Sequence, residues 1–90
     1  MGASREEVYK AIDGERDYQN DVWPSQDVPG EANQLTIGEF VLLLDEYVSK
    51  ARAEWTVEPK PEINTLNTVR KIAGIAVNCM EQHGAPLREE

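Results

Sequence analysis

The spacing of apolar residues between positions 36 and 56 constrains the fold more than any other feature of the chain. Apolar side chains recur there three or four residues apart, which is the period of one face of an α-helix. These residues are Ile37, Phe40, Val41, Leu44, Tyr47, Val48, Ala51 and Trp55. Thr36 and Glu39 have the capping-box spacing that opens a helix, and Pro59 and Pro61 follow it. The sequence therefore predicts a helix over residues 36–56.

An earlier helix is predicted near the start of the chain. Ser4 and Glu7 form another capping box, and apolar residues recur at helical spacings after it. We expect this helix over residues 4–23, ending before Pro24. Residues 24–35 contain two prolines and a glycine without any apolar period, so they are predicted to form a loop.

A third helix is expected over residues 62–83, with Gly84 ending it. Its apolar stripe consists of Leu66, Val69, Ile72, Ala73, Ala76, Val77, Cys79 and Met80. The short connection at residues 57–61 predicts that the second and third helices form an antiparallel hairpin. The chain is thus expected to be a single all-α domain over residues 1–90, with a helical hairpin and an N-terminal helix.

Consecutive apolar residues at 40–44 and 72–77 point in every direction around their helices. Two helices and a short third one cannot cover so many side chains. We therefore expect a homo-oligomer, a dimer or higher, in which two hairpins pair through a helical-bundle core. Gly74 and the neighbouring alanines would allow the hairpins to approach closely.

The charge of the chain limits its partners. Seventeen acidic and nine basic residues give 90 residues a formal net charge of −8, which repels nucleic-acid polymers. The single cysteine cannot form an internal disulfide, and no stretch has the length and apolar character of a signal peptide or a membrane span. We expect a cytoplasmic protein with no membrane partner. Arg70 and Lys71 lie in the more basic last third, where an anion site is favoured.

Polar and aromatic side chains of the first helix form one candidate site. Arg16 could hold a phosphate, Tyr18 or Trp23 could stack on a base, and Gln19 could contact the edge of that base. The alternative is structural, with a Glu15–Gln19 pair inside the helix and Trp23 closing the core.

Two other candidate groups are weaker. Asp45 and Glu46 are neighbours whose carboxylates diverge on one helix, so we favour ordinary surface acids there. Cys79 and His83 are too few ligands for a structural zinc site, and a buried thiol and a helix-end histidine are the preferred interpretation.

Three stretches of the sequence carry a resemblance to a known family. They are the Glu-Arg-x-x-Gln-x-x-x-Trp pattern at 15–23, the Thr-Ile-Gly-Glu-Phe segment at 36–40 and the Met-Glu-Gln-His-Gly segment at 80–84. Across residues 12–84 the chain resembles small phage-encoded proteins related to MazG-type nucleotide pyrophosphohydrolases. The resemblance implies an oligomeric all-α fold with a nucleotide pocket between helices of neighbouring subunits.

The chain departs from that family where hydrolytic members bind Mg²⁺. Those members use a Glu-Glu-x-x-Glu motif and a Glu-x-x-Asp pair on the next helix. Here the first motif falls at residues 45–49, with Ser49 in the last acidic place, and the second has no counterpart because that helix carries Arg70 and Lys71. These cations could meet phosphates directly, without a metal between.

Our first hypothesis is therefore a non-catalytic, phage-encoded nucleotide-binding protein without a cofactor. It would sequester a host nucleotide immune signal, for example a cyclic one, in pockets at the oligomer interface. The expected ligand-binding residues are Arg16, Tyr18, Gln19, Trp23, Arg70, Lys71 and His83.

The second hypothesis is a divergent Mg²⁺-dependent pyrophosphohydrolase of the MazG type with a rearranged metal site. Its ligands would be Glu15, Glu39, Asp45 and Glu46. A third hypothesis, without a small-molecule site, is a structural or protein-binding helical module.

Overall fold

The structure is a computed structural model that describes residues 2–22, 35–57, 59 and 62–89. These residues form three α-helices, α1 (Arg5–Val22), α2 (Ile37–Val57) and α3 (Glu62–His83), and no strand. The prediction of an all-α fold is confirmed, and each helix starts and ends within one residue of its predicted bounds. The predicted loop lies outside the described residues except for Leu35, and Trp23 lies outside them entirely.

Both predicted capping boxes are formed. At α1 the Ser4 amide donates to Glu7 Oε1 at 2.8 Å, and the Glu7 amide donates to Ser4 Oγ at 3.1 Å. At α2 the Thr36 amide donates to Glu39 Oε1 at 2.8 Å, and the Glu39 amide donates to Thr36 Oγ1 at 3.0 Å. These bonds satisfy amide groups that the first turn of a helix leaves without a partner.

Helix α3 ends at His83, as predicted from Gly84. Gly84 has a φ of 123°, a backbone conformation that side chains with a Cβ rarely adopt. Its amide donates to the Met80 carbonyl at 2.8 Å, so the chain leaves the helix at this glycine.

Helices α2 and α3 run antiparallel. Near the connection between them, Thr68 Oγ1 donates to Glu54 Oε1 at 2.6 Å. At the opposite end, His83 Nε2 lies 2.7 Å from the Leu35 carbonyl oxygen, and the His83 ring meets the Phe40 ring edge to face. The start of one helix therefore lies beside the end of the other, as the hairpin prediction requires.

The core between these helices is small. Among the described residues, Phe40 and Ile75 are the only buried apolar side chains. Helix α1 packs against α3 and, within the described part of the chain, does not pack against α2. The fold is thus a hairpin with one helix laid on its second arm.

Helix α1 lies on α3 at Gly74. A Cβ atom at this position would lie 2.7 Å from Glu15 Cγ and 2.8 Å from Gln19 Nε2. The expectation that Gly74 lets two hairpins approach each other is therefore wrong, because α1 of the same chain fills that space. The absence of a side chain at Gly74 is needed within the protomer.

Much apolar surface remains exposed on all three helices, including Val8, Leu42 and Leu66. The homo-oligomer that would cover it stays a prediction. In the described part of the chain, no helix combines the length and apolar character that crossing a lipid bilayer requires.

Candidate functional site

The interface between α1 and α3 is built from polar side chains. The three buried residues of α1 are Glu15, Arg16 and Gln19. Buried charged and amide groups are stable only when their hydrogen bonds are made, so the partners of these residues determine how α1 is held.

Arg16 pairs with Glu81 near the end of α3. Its Nη2 lies 2.7 Å from Glu81 Oε1, and its Nε donates to Glu81 Oε2 at 3.2 Å. This is a bidentate pair in which the guanidinium is buried, whereas the Glu81 side chain is 51% exposed. The remaining nitrogen, Nη1, donates to Gln19 Oε1 at 3.4 Å.

Gln19 and Glu15 continue the network towards the middle of α3. Gln19 Nε2 donates to Glu15 Oε2 at 3.1 Å and to the Lys71 carbonyl oxygen at 3.4 Å. The Glu15–Gln19 pair within α1, which was one of the two interpretations of this segment, is therefore present. The other Glu15 oxygen accepts from Arg70 Nε at 3.0 Å.

The two arginines predicted to hold phosphates differ in accessibility. Arg16 is buried and directs its nitrogens at Glu81 and Gln19, so within one protomer it positions α1 on α3. Arg70 is 38% exposed on its side chain. Its Nε and Nη1 bond Glu15 and Asn67, and its Nη2 has no hydrogen-bond partner among the described residues. Arg70 can therefore hold Glu15 and still offer donors to an anion.

An open groove runs along the α1–α3 interface beside these groups. Its volume is about 420 Å³, and Arg70, Lys71 and Tyr18 line it together with Ala11, Gly14 and Glu15. A smaller cavity of about 140 Å³ adjoins it and is bounded by side chains from all three helices. That cavity is lined by Glu15, Tyr18, Gln19, Val22, Tyr47, Lys71 and Ile75. We call the groove and the adjoining cavity together the Tyr18 groove.

The chemistry of the Tyr18 groove combines cations with an aromatic ring. Lys71 forms no ion pair with any described carboxylate. Tyr18 is mostly exposed on the outer wall, and Tyr47 contributes a half-buried ring from α2. Such a surface can hold an anion on Arg70 and Lys71 while a flat ring stacks on tyrosine. Four predicted ligand-binding residues, Tyr18, Gln19, Arg70 and Lys71, thus lie together.

His83 does not join them in one protomer. It is the last residue of α3 and lies about 18 Å along the helix axis from Lys71. Its ring contacts the Leu35 carbonyl oxygen and Phe40, at the end of the hairpin far from the connection between α2 and α3. Trp23, the remaining predicted ligand-binding residue, lies outside the described residues.

The four carboxylates expected to bind Mg²⁺ in the second hypothesis do not come together within one protomer. No group of three Asp, Glu, His or Cys side chains that could hold a metal ion occurs among the described residues. Glu15 is bonded to Arg70 and Gln19, Glu39 caps α2, and Asp45 and Glu46 are exposed on α2. A site built from these four residues would need oxygen ligands from a second chain.

Sequence reasoning missed three residues of this region. The sequence does not predict that Glu81 pairs with Arg16, it places Tyr47 only in an apolar stripe, and it predicts a role for Gly74 between protomers. The one usable signal is the glycine itself, because a glycine inside a strongly apolar helix usually marks a close approach. Nothing in the spacing of Glu81 or Tyr47 indicates how α1 crosses α3.

Comparison of the chain with protein-family models, with curated proteins and with solved structures finds no match. The resemblance to MazG-type proteins therefore rests on its three sequence stretches alone.

Proposed function

We propose that the protein is a non-catalytic nucleotide-binding protein and that the Tyr18 groove is its ligand site. One observation carries the proposal. In a chain with a net charge of −8, Lys71 and Arg70 line the same groove as an exposed tyrosine ring, and among the described residues Lys71 has no carboxylate partner and Arg70 Nη2 has no hydrogen-bond partner. A nucleotide offers an anion and a flat ring to match those groups.

Each groove residue has a separate task in this proposal. Lys71 Nζ and Arg70 Nη2 hold phosphate oxygens, and the Tyr18 ring stacks on the base. Glu15 fixes the orientation of Arg70 through its Nε, so the guanidinium is set before the ligand arrives. Arg16 and Gln19 have an indirect, positioning role. They hold α1 at the distance from α3 that leaves the groove open.

The size of the site supports a pocket between subunits. Sites for small molecules usually enclose about 300–1,000 Å³ and bury most of the ligand. The smaller, partly open cavity here has about 140 Å³, and the larger groove is open to solvent. A nucleotide would be covered on one side only, so we place a neighbouring subunit over the other side.

The biological role follows from the resemblance and not from the geometry. We propose that the protein is phage-encoded and sequesters a host nucleotide signal, such as a cyclic nucleotide used in immune signalling. Holding a signal without converting it requires phosphate contacts and no metal-bound nucleophile, and the cations of the groove fit that requirement.

The test is a melting-temperature screen of the purified protein against linear and cyclic nucleotides, each with Mg²⁺ and with EDTA. Every stabilising ligand is then recovered and chromatographed. A ligand at about one hundred times its Kd adds about 2.7 kcal/mol to the folded state, which a melting curve resolves. We expect stabilisation in EDTA and recovery of the intact ligand.

Two outcomes would overturn the proposal. Mg²⁺-dependent conversion of a triphosphate to a monophosphate would identify a pyrophosphohydrolase of the MazG type. No stabilisation by any nucleotide would leave a structural or protein-binding module.

The location of the site is tested with matched lysine variants. Lys71→Gln removes a cation from the groove, whereas Lys10→Gln removes one from the exposed part of α1 outside it. A hydrogen bond to a charged group contributes about 1.5–3 kcal/mol, so we expect Lys71→Gln to weaken binding roughly ten- to a hundredfold by calorimetry. Lys10→Gln should leave the affinity unchanged, and equal effects of the two variants would show that only net charge matters.

A further inference from the structure

A row of apolar side chains on α2 is largely uncovered by the described part of the chain. Ile37, Val41, Val48 and Trp55 are between 43% and 56% exposed. With the half-buried Leu44 and Ala51 they recur at alternating intervals of four and three residues along the whole helix. We call these six residues the α2 seam. Alternation of four and three is the heptad spacing of a helix that pairs with another helix.

The α2 seam is distinct from the face of α2 that meets α3. Phe40 is buried against α3, and Glu54 accepts a hydrogen bond from Thr68 there. Tyr47 lies on the same side and lines the Tyr18 groove. Val48 is about 100° further round the helix than Tyr47. The hairpin therefore uses one face of α2, partly covers Leu44 and Ala51 at the edge of the α2 seam, and leaves its other four residues exposed.

The charges along α2 select the direction of a partner helix of the same sequence. Residues 37–46 have a net charge of −3, from Glu39, Asp45 and Glu46. Residues 47–57 have a net charge of +1, from Lys50, Arg52 and Glu54. A parallel pair would place the two acidic halves side by side. An antiparallel pair places the acidic half of one copy beside the basic half of the other and also opposes the two helix dipoles.

The sizes of the seam residues select the same direction. An antiparallel pair centred on residue 46 sets Ile37 against Trp55, Val41 against Ala51, and Leu44 against Val48 of the other copy. Trp55 then meets Ile37 and not a second Trp55, and Ala51 meets Val41 and not a second Ala51, so the layers differ less in volume than in a parallel pair. A parallel pair would stack two Trp55 rings next to a layer of two alanines, leaving one crowded layer beside one empty layer.

We propose that the α2 seam is a self-association surface and that its partner is the α2 seam of a second copy, running antiparallel. The proposal assigns a surface to the assembly and does not rest on nucleotide binding. The seam is centred on a different side of α2 from Tyr47, so this contact does not itself cover the Tyr18 groove, and the subunit proposed to cover that groove would use a different surface. Loss of the contact and loss of ligand binding can therefore be observed separately.

The surface is tested by measuring mass in solution, with multi-angle light scattering after size exclusion, for a chain of 10.1 kDa. Val41→Glu with Val48→Glu places two charges in the seam. Leu42→Glu is the matched control, because Leu42 is on the same helix and even more exposed but lies outside the seam. Circular dichroism checks that each variant keeps its helices.

We expect the wild type and Leu42→Glu to have the same mass, at least twice that of one chain, and the double variant to have a smaller one. A wild type with the mass of a single chain would overturn the proposal. An unchanged mass for the folded double variant would do the same.

The relative direction of the two α2 helices is tested by disulfide formation in a Cys79→Ser background. This experiment is done on the intact assembly. Antiparallel pairing brings Val41 of one copy to Ala51 of the other, whereas two Val41 residues stay about 15 Å apart. A disulfide needs Cα atoms within about 7 Å. A mixture of Val41→Cys and Ala51→Cys should therefore form cross-linked dimers, and Val41→Cys alone should not. Efficient cross-linking of Val41→Cys alone would show a parallel pair and contradict the proposal.

Discussion

The two interfaces of α3 are built on different physical principles. Against α2, the buried residue is the aromatic Phe40, and the contact gains stability by removing apolar surface from water. Against α1, every buried residue of the smaller helix is polar, and the contact depends on hydrogen bonds and ion pairs. The α2–α3 interface is centred on an apolar contact with the Thr68–Glu54 hydrogen bond near its end, whereas the α1–α3 interface is centred on directional hydrogen bonds and ion pairs.

This difference shows that one interface mainly supplies the stability of the fold and the other mainly fixes the position of α1. An apolar contact tolerates small shifts, because burial depends on area rather than on angles. A guanidinium held by a carboxylate at 2.7 Å does not, because a buried charge without its partner is costly. The hairpin thus supplies the stable body, and the polar interface fixes α1 at the spacing that forms the Tyr18 groove.

The largest expected effect is on the apolar interface. Phe40→Ala removes the only fully buried large side chain among the described residues. Phenylalanine-to-alanine changes in cores cost about 3–5 kcal/mol of unfolding free energy. We therefore expect the whole fold to unfold in one cooperative transition with a much lower urea midpoint than that of the wild type. Leu42→Ala, at an exposed position of the same helix outside the α2 seam, should change the midpoint little. Equal effects would show that the Phe40 contact is not the core.

The next effect concerns the ion pair that anchors α1. Arg16→Ala leaves Gln19 without one donor and Glu81 without its partner, and we expect a loss of about 2 kcal/mol of unfolding free energy. Glu81→Gln should cost a similar amount, because it leaves the buried Arg16 guanidinium without its counter-charge. Urea unfolding of both variants and of the double variant measures the coupling. If the effects of the two substitutions on the unfolding free energy were purely additive, the Arg16–Glu81 pair would contribute no coupling energy to the fold.

Gly74→Ala tests the close approach without changing charge. The new Cβ would meet Glu15 and Gln19 side-chain atoms closer than 3 Å, and such overpacking costs about 1–3 kcal/mol. Gly14→Ala is the matched control, because nothing lies within 4 Å of a Cβ there. It should stabilise α1 by up to about 1 kcal/mol through helix propensity. If both variants stabilise the protein in thermal melts, α1 is not fixed at Gly74.

The smallest expected effect is at the exposed start of α1. Hydrogen bonds from the Ser4 amide and hydroxyl lower the pKa of Glu7 from its ordinary value of 4.5. A lowered pKa in the folded state gives stability that is present above 4.5 and is lost as the pH falls through the lowered pKa. Glu7→Gln should therefore lower the melting temperature slightly at pH 7 and have no effect at pH 2.

The control for this last measurement is Glu6→Gln, because Glu6 lacks the bonds to Ser4. A pH-independent effect of Glu7→Gln would show that the capping box is not the cause.

The sequence predicts local structure in this chain far better than it predicts contacts. Capping boxes, apolar periods, prolines and Gly84 act within a few residues, so the helix bounds and the hairpin could be inferred from them. Arg16 and Glu81 are 65 positions apart, and Glu15 and Arg70 are 55 apart. Those pairings depend on how α1 crosses α3, which no local spacing encodes.

The candidate site shows the same limit. Arg70, Lys71, Tyr18 and Gln19 were selected by residue type, and the fold brings them together. Arg16 was selected by the same reasoning, yet the fold buries it against Glu81. Residue type indicates which side chains can bind an anion, and only packing decides which of them are free to do so.

The central claim is that a nucleotide binds between α1 and α3, and hydrogen exchange read by mass spectrometry tests it most directly. The probe is the nucleotide that raises the melting temperature most. We predict slower exchange in α1 around Tyr18 and in α3 around Arg70 and Lys71, with no change near His83. Bound nucleotide that slows exchange only near His83, or nowhere in α1 and α3, would contradict the account.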